Sequence, residues 1–193
     1  VSDAGIPSIC DPGENLVREV KLNKLKTICI PGPCAALTAL VSSGLESSKF
    51  IFEGFLPKKQ NERNKILFDI SKNTKTTIIY ESPHRINKFL VELKNFCGGD
   101  REIQLYRELT KKFEEHMGNN INEVIDKIKD KAIMGEITVL IRGLNNSKNQ
   151  DINLIILKNE LNELIKAGLN LSSASKYLAK KNGIPKNTIY NLY

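Results

Sequence analysis

At 193 residues and 40% hydrophobic content, the chain is long enough for one substantial core with a small appended module. No run of about 18 apolar residues occurs, and the sequence does not open on a basic stretch followed by an apolar one. Neither a spanning helix nor a signal peptide is therefore expected, and a soluble cytoplasmic protein is. A net charge of +7 suggests a polyanionic partner, since Lys and Arg contacts to phosphates release counterions, although abundant Lys, Asn and Ile are equally a mark of an AT-rich genome.

In chain order, residues 1 to 13, VSDAGIPSICDPG, crowd three turn signals together and read as a loop. A short helix is expected over 14 to 22, then a buried strand at Thr27 to Ile30 that stops at Pro31-Gly32-Pro33. The small apolar residues from Cys34 to Leu45 suit a helix packed closely on a sheet, with Gly44 as its C-terminal cap. A loop around Phe50 to Pro57 precedes a basic amphipathic helix near 60 to 71 and a strand from Thr76 to Glu81. Ser82-Pro83 starts another helix. The strand Glu102 to Leu109 leads into an irregular stretch through Gly118, a helix capped by Asn120, and the strand Glu136 to Arg142.

This alternation predicts an α/β sheet covered by helices. Asn145 to Asp151 reads as a linker. Residues 152 to 193 are helical throughout, with apolar spacing at Leu154, Leu157, Leu161, Leu164 and Ile165, a turn at Asn182-Gly183 and a last helix from near Pro185. The four cysteines show no CxxC spacing, so no metal site is expected. Cys29 and Cys34 lie in apolar stretches, where a free thiol packs as a small hydrophobe.

Taken singly, a DAGxP loop or a PGP turn only serves a bend. The ordered set VSDAGIPSICDPG, IPGPCAALTAL, FEGFLPKK, YESPHR, RELTKKFEE and GEITVLIRG is far more specific, and it resembles the tetrapyrrole methylase superfamily over essentially the whole chain. Within the superfamily it is most similar to the branch that methylates a cytidine ribose 2′-hydroxyl of small-subunit (16S) ribosomal RNA. The resemblance implies a tetrapyrrole methylase-like α/β fold with a small all-helical C-terminal module, S-adenosylmethionine (SAM) as cofactor, a homodimer, and small-subunit RNA or the 30S subunit as partner. Membrane and metal partners are not implied. Val1 falls inside a motif, so an N-terminally truncated chain is expected. In that scheme residues 1–30 are a remnant of a first α/β domain, 31–144 a second, SAM-binding one, 145–151 a linker and 152–193 an accessory module.

Carried over position by position, the resemblance implies cofactor contacts from Asp3, Ala4 and Gly5, from Pro31, Gly32, Pro33, Cys34 and Ala35, and from Glu81, Ser82 and Arg85. Phe52 is implied as an aromatic wall or, equally, plain core. Backbone groups suit the task, because Gly-rich turns let N–H and C=O groups approach a ligand and a helix N-terminus accepts a carboxylate. Lys58, Lys59, Arg63 and Arg107 are candidates for holding RNA phosphates.

Methyl transfer needs the ribose oxygen held in line with the departing sulfur, and its weakly acidic hydroxyl favours help with the proton, for which Glu108, Lys111 and Glu115 are the candidates. A solvated salt-bridge network is the alternative for these charges. Other readings are a small-molecule methylase acting on corrin or sirohaem precursors, a non-catalytic nucleic-acid-binding module resting on the helical tail, and a fragment inactive by itself.

Overall fold

The turn-rich opening ends at Gly13, and α1, Glu14–Leu22, follows with no buried residue. The computed structural model describes residues 5–129, 131–144, 157–182 and 186–193. The chain divides into two compact units, Val1–Leu144 and Asn145–Tyr193.

The first departure from expectation comes at Thr27 to Ile30, which forms no strand; Ile28 is 72% exposed, Ile30 82%, and Cys29 is exposed as well. An apolar run becomes a strand only when a neighbour completes its hydrogen bonds, and no described strand pairs with this one. All four cysteines are free thiols.

Helix α2, Ala35–Ser43, ends as expected on Gly44, whose φ of 70° is the left-handed conformation that terminates helices. It buries Ala36, Ala39 and Leu40, small residues that allow close approach to a sheet. The stretch read as a loop around Phe50 is instead β1, Phe50–Phe55. Gly54 and Pro57 gave it a loop's signature, yet the glycine serves a β-bulge: the register slips between Phe52 and Gly54, and Gly54 has φ 63°.

Helix α3, Gln60–Lys72, and β2, Thr76–Glu81, fall where predicted, followed by α4, Ile86–Cys97, and β3, Glu102–Arg107. The irregular stretch after β3 contains a further strand, β4, Glu115–Asn120. Its sequence EHMGNN carries little apolar signal because it is an edge strand that buries only Met117 and Gly118. Asn120 does cap α5, Ile121–Ile128, with its side-chain oxygen accepting the Glu123 N–H at 2.9 Å. Strand β5, Ile137–Ile141, completes the sheet.

The strand order is β1-β2-β5-β3-β4, with β1 and β2 parallel and the other pairs antiparallel. Alternation along the central strands divides the core between the two faces. Ile79, Ile103, Leu105, Val139 and Ile141 pack with α3, α4 and α5. Ile78, Tyr106 and Leu140 pack with α2 on the other face. Every residue of β5 is buried, as expected for a strand covered on both sides.

In the second unit, α6 (157–166), α7 (Leu171–Asn182) and α8 (Lys186–Tyr190) enclose a small core of Leu161, Ala174, Leu178 and Ile189. Leu157 is buried as its spacing required, and Leu164 and Ile165 pack against that core. The readings that fall on Asn145 to Asp151, Leu154, Gly183 and Pro185 lie outside the described residues. No described helix is long and apolar enough to cross a membrane.

Candidate active site

The carboxyl ends of β1, β2 and β3 open onto one cavity of about 460 Å³, the position where open α/β sheets place ligands. Phe55 ends β1, Tyr80, Glu81, Ser82 and Pro83 end β2, Leu109 to Lys111 follow β3, and Gly135 to Thr138 lead into β5. The far wall is the loop of Gly5, Ile6 and Ile9 to Asp11, with Pro33, Cys34, Ala35 and Thr38 at the start of α2.

The loop is fixed to the start of α2 by the Ile6 amide, which donates to the Pro33 carbonyl at 2.9 Å. Glycine is required at position 5: its φ is 75°, and a Cβ there would stand 2.9 Å from the Pro33 oxygen. Asp11 lines the cavity, and its Oδ2 is buried with no hydrogen-bond partner among the described residues. Such an atom awaits a donor.

Tyr80 joins the two walls. Its hydroxyl oxygen accepts the Ala36 N–H at 3.0 Å, taking one of the amides that the α2 N-terminus leaves open. Its ring meets Phe52 edge-on at 5.1 Å and Phe55 at 5.7 Å. Burial pushes the phenol up to about 12, so it keeps its proton.

Glu81 is 2% exposed, and its carboxylate accepts the Ser82 amide and both Nε and Nη2 of Arg85 at 2.7 to 2.9 Å. Arg85 also donates to the Leu56 carbonyl. The pair therefore ties β2 to the end of β1, and Arg85, expected beside the cofactor, does not line the cavity.

The segment after β3 holds backbone strain, with Glu108 at φ 51° and Thr110 at φ 64°. Charges brace it. Glu108 Oε1 accepts Lys111 Nζ at 2.9 Å and the Glu136 amide at 2.8 Å, and Lys111 Nζ also meets Glu136 Oε2 at 3.1 Å. The Glu136 amide, followed by Lys111, holds the Glu108 carboxyl below its ordinary range, and Glu108 in turn raises the Lys111 ammonium.

Burial pushes Glu115 up, but hydrogen bonds from Arg107 and Lys131 outweigh it and leave the carboxyl below its usual value. Glu108 and Glu115 are thus held ionised by their partners, which weakens them as bases. Neither lines the cavity, whereas Lys111 does, with its proton retained. Of the three groups expected to handle a proton, geometry brings only Lys111 to the site.

The expected phosphate contacts also separate. Lys58 and Lys59 are exposed, Lys59 pairing with Glu62 at 3.3 Å. Arg63 is 6% exposed and is bound on every side: Nε and Nη2 to Glu92 at 2.7 and 3.0 Å, Nη1 to the Pro57 and Lys58 carbonyls, and Nη2 to Gln60. It is a structural strut with no donor left for RNA. Arg107 is partly engaged, donating Nε to Glu115 at 3.1 Å and Nη1 to the Met134 carbonyl at 3.3 Å.

Of the expected cofactor contacts, Gly5, Pro33, Cys34, Ala35, Glu81 and Ser82 line the cavity, while Pro31, Gly32 and Phe52 do not. Asp3 and Ala4 lie outside the described residues.

Residues 1–125 match the model of the family described as Tetrapyrrole (Corrin/Porphyrin) Methylases. The chain belongs to this family. It is 42% identical to a protein of Vibrio cholerae named ribosomal RNA small subunit methyltransferase I, over 98% of this chain and 66% of that protein. Proteins of the same name from Synechocystis and Bacillus subtilis are each 36% identical over all of this chain and 69% and 67% of their own lengths. The chain therefore spans about two thirds of the curated relatives it matches.

Among solved structures, the methyltransferase CobJ aligns with a TM-score of 0.56 at 16% identity, over 72% of this chain and 62% of that one. The cobalt precorrin-4 methyltransferase CbiF aligns at 0.55 and 17%, over 72% and 61%. These likenesses establish the tetrapyrrole methylase fold predicted from the motif set.

Within that fold, the residues that sequence reasoning missed are Asp11, Tyr80, Thr138 and Glu136. Tyr80 stands directly before ESPHR at a strand's carboxyl end, a signal that was available. Thr138 had none, since only the β2–β5 register, Tyr80 opposite Thr138, brings it to the cavity.

Proposed function

We propose that the protein transfers a methyl group from SAM to the 2′-hydroxyl of a cytidine ribose in small-subunit (16S) ribosomal RNA, in the cytoplasm. The observation that carries the reading is the cavity at the carboxyl ends of β1 to β3, lined mostly by residues of the family-matched stretch together with Gly135 to Thr138, and closed on one side by a protonated Tyr80 and on another by Lys111. The RNA substrate follows from the relatives' name and from the chain's positive charge.

The cavity's donor set fits SAM. A methionyl group brings an ammonium and a carboxylate; Asp11 Oδ2 lacks a donor, and the α2 N-terminus favours a carboxylate. Its volume is ordinary for a small-molecule site. When bound, the cofactor supplies the electrophilic methyl group.

The chain's own residues hold and orient. The Gly5 to Asp11 loop and Pro33 to Ala35 present backbone groups, Phe55 offers a half-exposed ring against a nucleobase, and Tyr80 keeps a hydroxyl proton to donate. Lys111, fixed between Glu108 and Glu136, offers a cation to sugar or phosphate oxygens. Lys58 and Lys59 extend this charge. In this reading residues 31–144 form the cofactor domain, 1–30 belong to a first α/β domain, 145–151 link, and 152–193 are accessory; the relatives' greater length supports the division.

Incubation with methyl-tritiated SAM and 30S subunits tests it. Label is expected in dinucleotides that resist alkaline hydrolysis, because a methylated 2′-oxygen cannot attack the neighbouring phosphate. Label on a base, or on a tetrapyrrole and not on RNA, overturns the reading.

A further inference from the structure

We propose that the C-terminal helical unit carries its own RNA-docking surface, formed by Lys176, Tyr177 and Lys180 on α7 together with Lys186 of α8. The choice of RNA as partner rests on the substrate class proposed above.

Helix α7 turns Ala174, Ser175 and Leu178 into the unit's core, which leaves Lys176, Tyr177 and Lys180 on the solvent side. Lys176 and Lys180 are one turn apart, roughly 6 Å along the axis, so both present their ammonium groups on the same stripe. The stripe continues onto α8, because Lys186 Nζ donates to Ser172 Oγ at 2.8 Å, and Ser172 is the position one turn before Lys176.

These cations differ from their neighbour Lys181, which is paired with Glu160 at 3.0 Å; among the described residues no acid lies within ion-pair distance of Lys176, Lys180 or Lys186. An unneutralised row of ammonium groups is the electrostatic footprint of a phosphate backbone.

The aromatic content selects the kind of nucleic acid. Tyr177 is 57% exposed between the two lysines, and Tyr190 and Tyr193 are exposed in and beyond α8. Tyrosine rings interleaved with lysines suit unpaired bases, which stack while the backbone is held. A duplex DNA reader needs a second helix long enough to lie in the major groove, and α8 has only five residues, Lys186–Tyr190. Single-stranded or looped RNA is therefore the expected partner.

The test uses the whole protein and a fluorescent polycytidylate oligonucleotide, with affinity measured against salt concentration. K176Q/K180Q/K186Q is expected to lower the log–log salt slope by about 2, at about 0.7 per released phosphate contact on a single strand. Tyr177→Ala is expected to weaken binding about fivefold or more without altering that slope, since it removes stacking and no charge. A control of equal charge change, K94Q/K127Q/K129Q on the first unit, should leave the slope near wild type.

Equal losses in the two triple variants would mean diffuse charge attraction and would overturn the proposal, as would tighter binding of duplex DNA of the same length. SAM titration of each variant checks that the first unit is intact. Loss of oligonucleotide binding in the α7 and α8 variant while the wild type methylates no RNA would remove the proposed reaction and leave this surface standing. Full methylation and binding in that variant would do the reverse.

Discussion

Replacing Arg63 separates a strut from a phosphate contact. The guanidinium is 6% exposed and meets Glu92 through two parallel bonds of 2.7 and 3.0 Å, while two carbonyls, of Pro57 and Lys58, depend on its Nη1. Arg63→Ala leaves two carbonyls without donors and a part-buried carboxylate with only the Gln60 amide at 3.1 Å and Lys88 at 3.8 Å, and breaking such a pair costs about 3–5 kcal/mol. For a domain of this size that lowers Tm by roughly 10 °C or more. Urea unfolding followed by circular dichroism reads it directly.

Arg63→Met with Glu92→Leu removes both charges and should recover all but about 1–2 kcal/mol, the residue being the orphaned carbonyls. The pH dependence follows from the sign of the Glu92 shift. Its hydrogen bond with Arg63 holds the folded carboxyl below its unfolded value, so the stabilisation is complete above the unfolded value, near pH 4.3, and fades as pH falls through the folded one. The gap between wild type and Arg63→Ala should therefore narrow from pH 5 towards pH 3. Wild-type stability with reduced RNA affinity in Arg63→Ala would refute the strut and restore Arg63 to the phosphate contacts.

Tyr80→Phe keeps the ring packing but deprives the Ala36 amide of its acceptor and the cavity of a donor; SAM affinity, by calorimetric titration, should fall about fivefold or more, one neutral hydrogen bond being worth about 1 kcal/mol. An unchanged affinity removes Tyr80 from the cofactor wall.

The sequence by itself determined the elements whose signals are local. Periodicity and caps placed α1, α2 with its Gly44 terminus, α3, β2 and the Asn120-capped α5, and the ordered motifs identified the family before any contact was known. It also named the segments that meet at the cavity.

What depended on pairing was closed to it. Thr27 to Ile30 has a strand's composition and no partner, while β4 has a partner and almost no strand composition. In both cases hydrogen bonding to a neighbour outweighs local propensity. Tertiary structure likewise decided which charges are available. Arg63, Lys58 and Lys59 are equivalent in the sequence, but Glu92 arrives from α4, 29 residues away, and only Arg63 lies where it can bind that carboxylate out of water. Glu108 and Lys111 looked like reactive groups because charges crowd there; the fold shows Glu108 spent on bracing a strained turn and leaves Lys111 at the cavity. A charge's role is set by its partners and its solvation, and both come from chain segments remote in sequence.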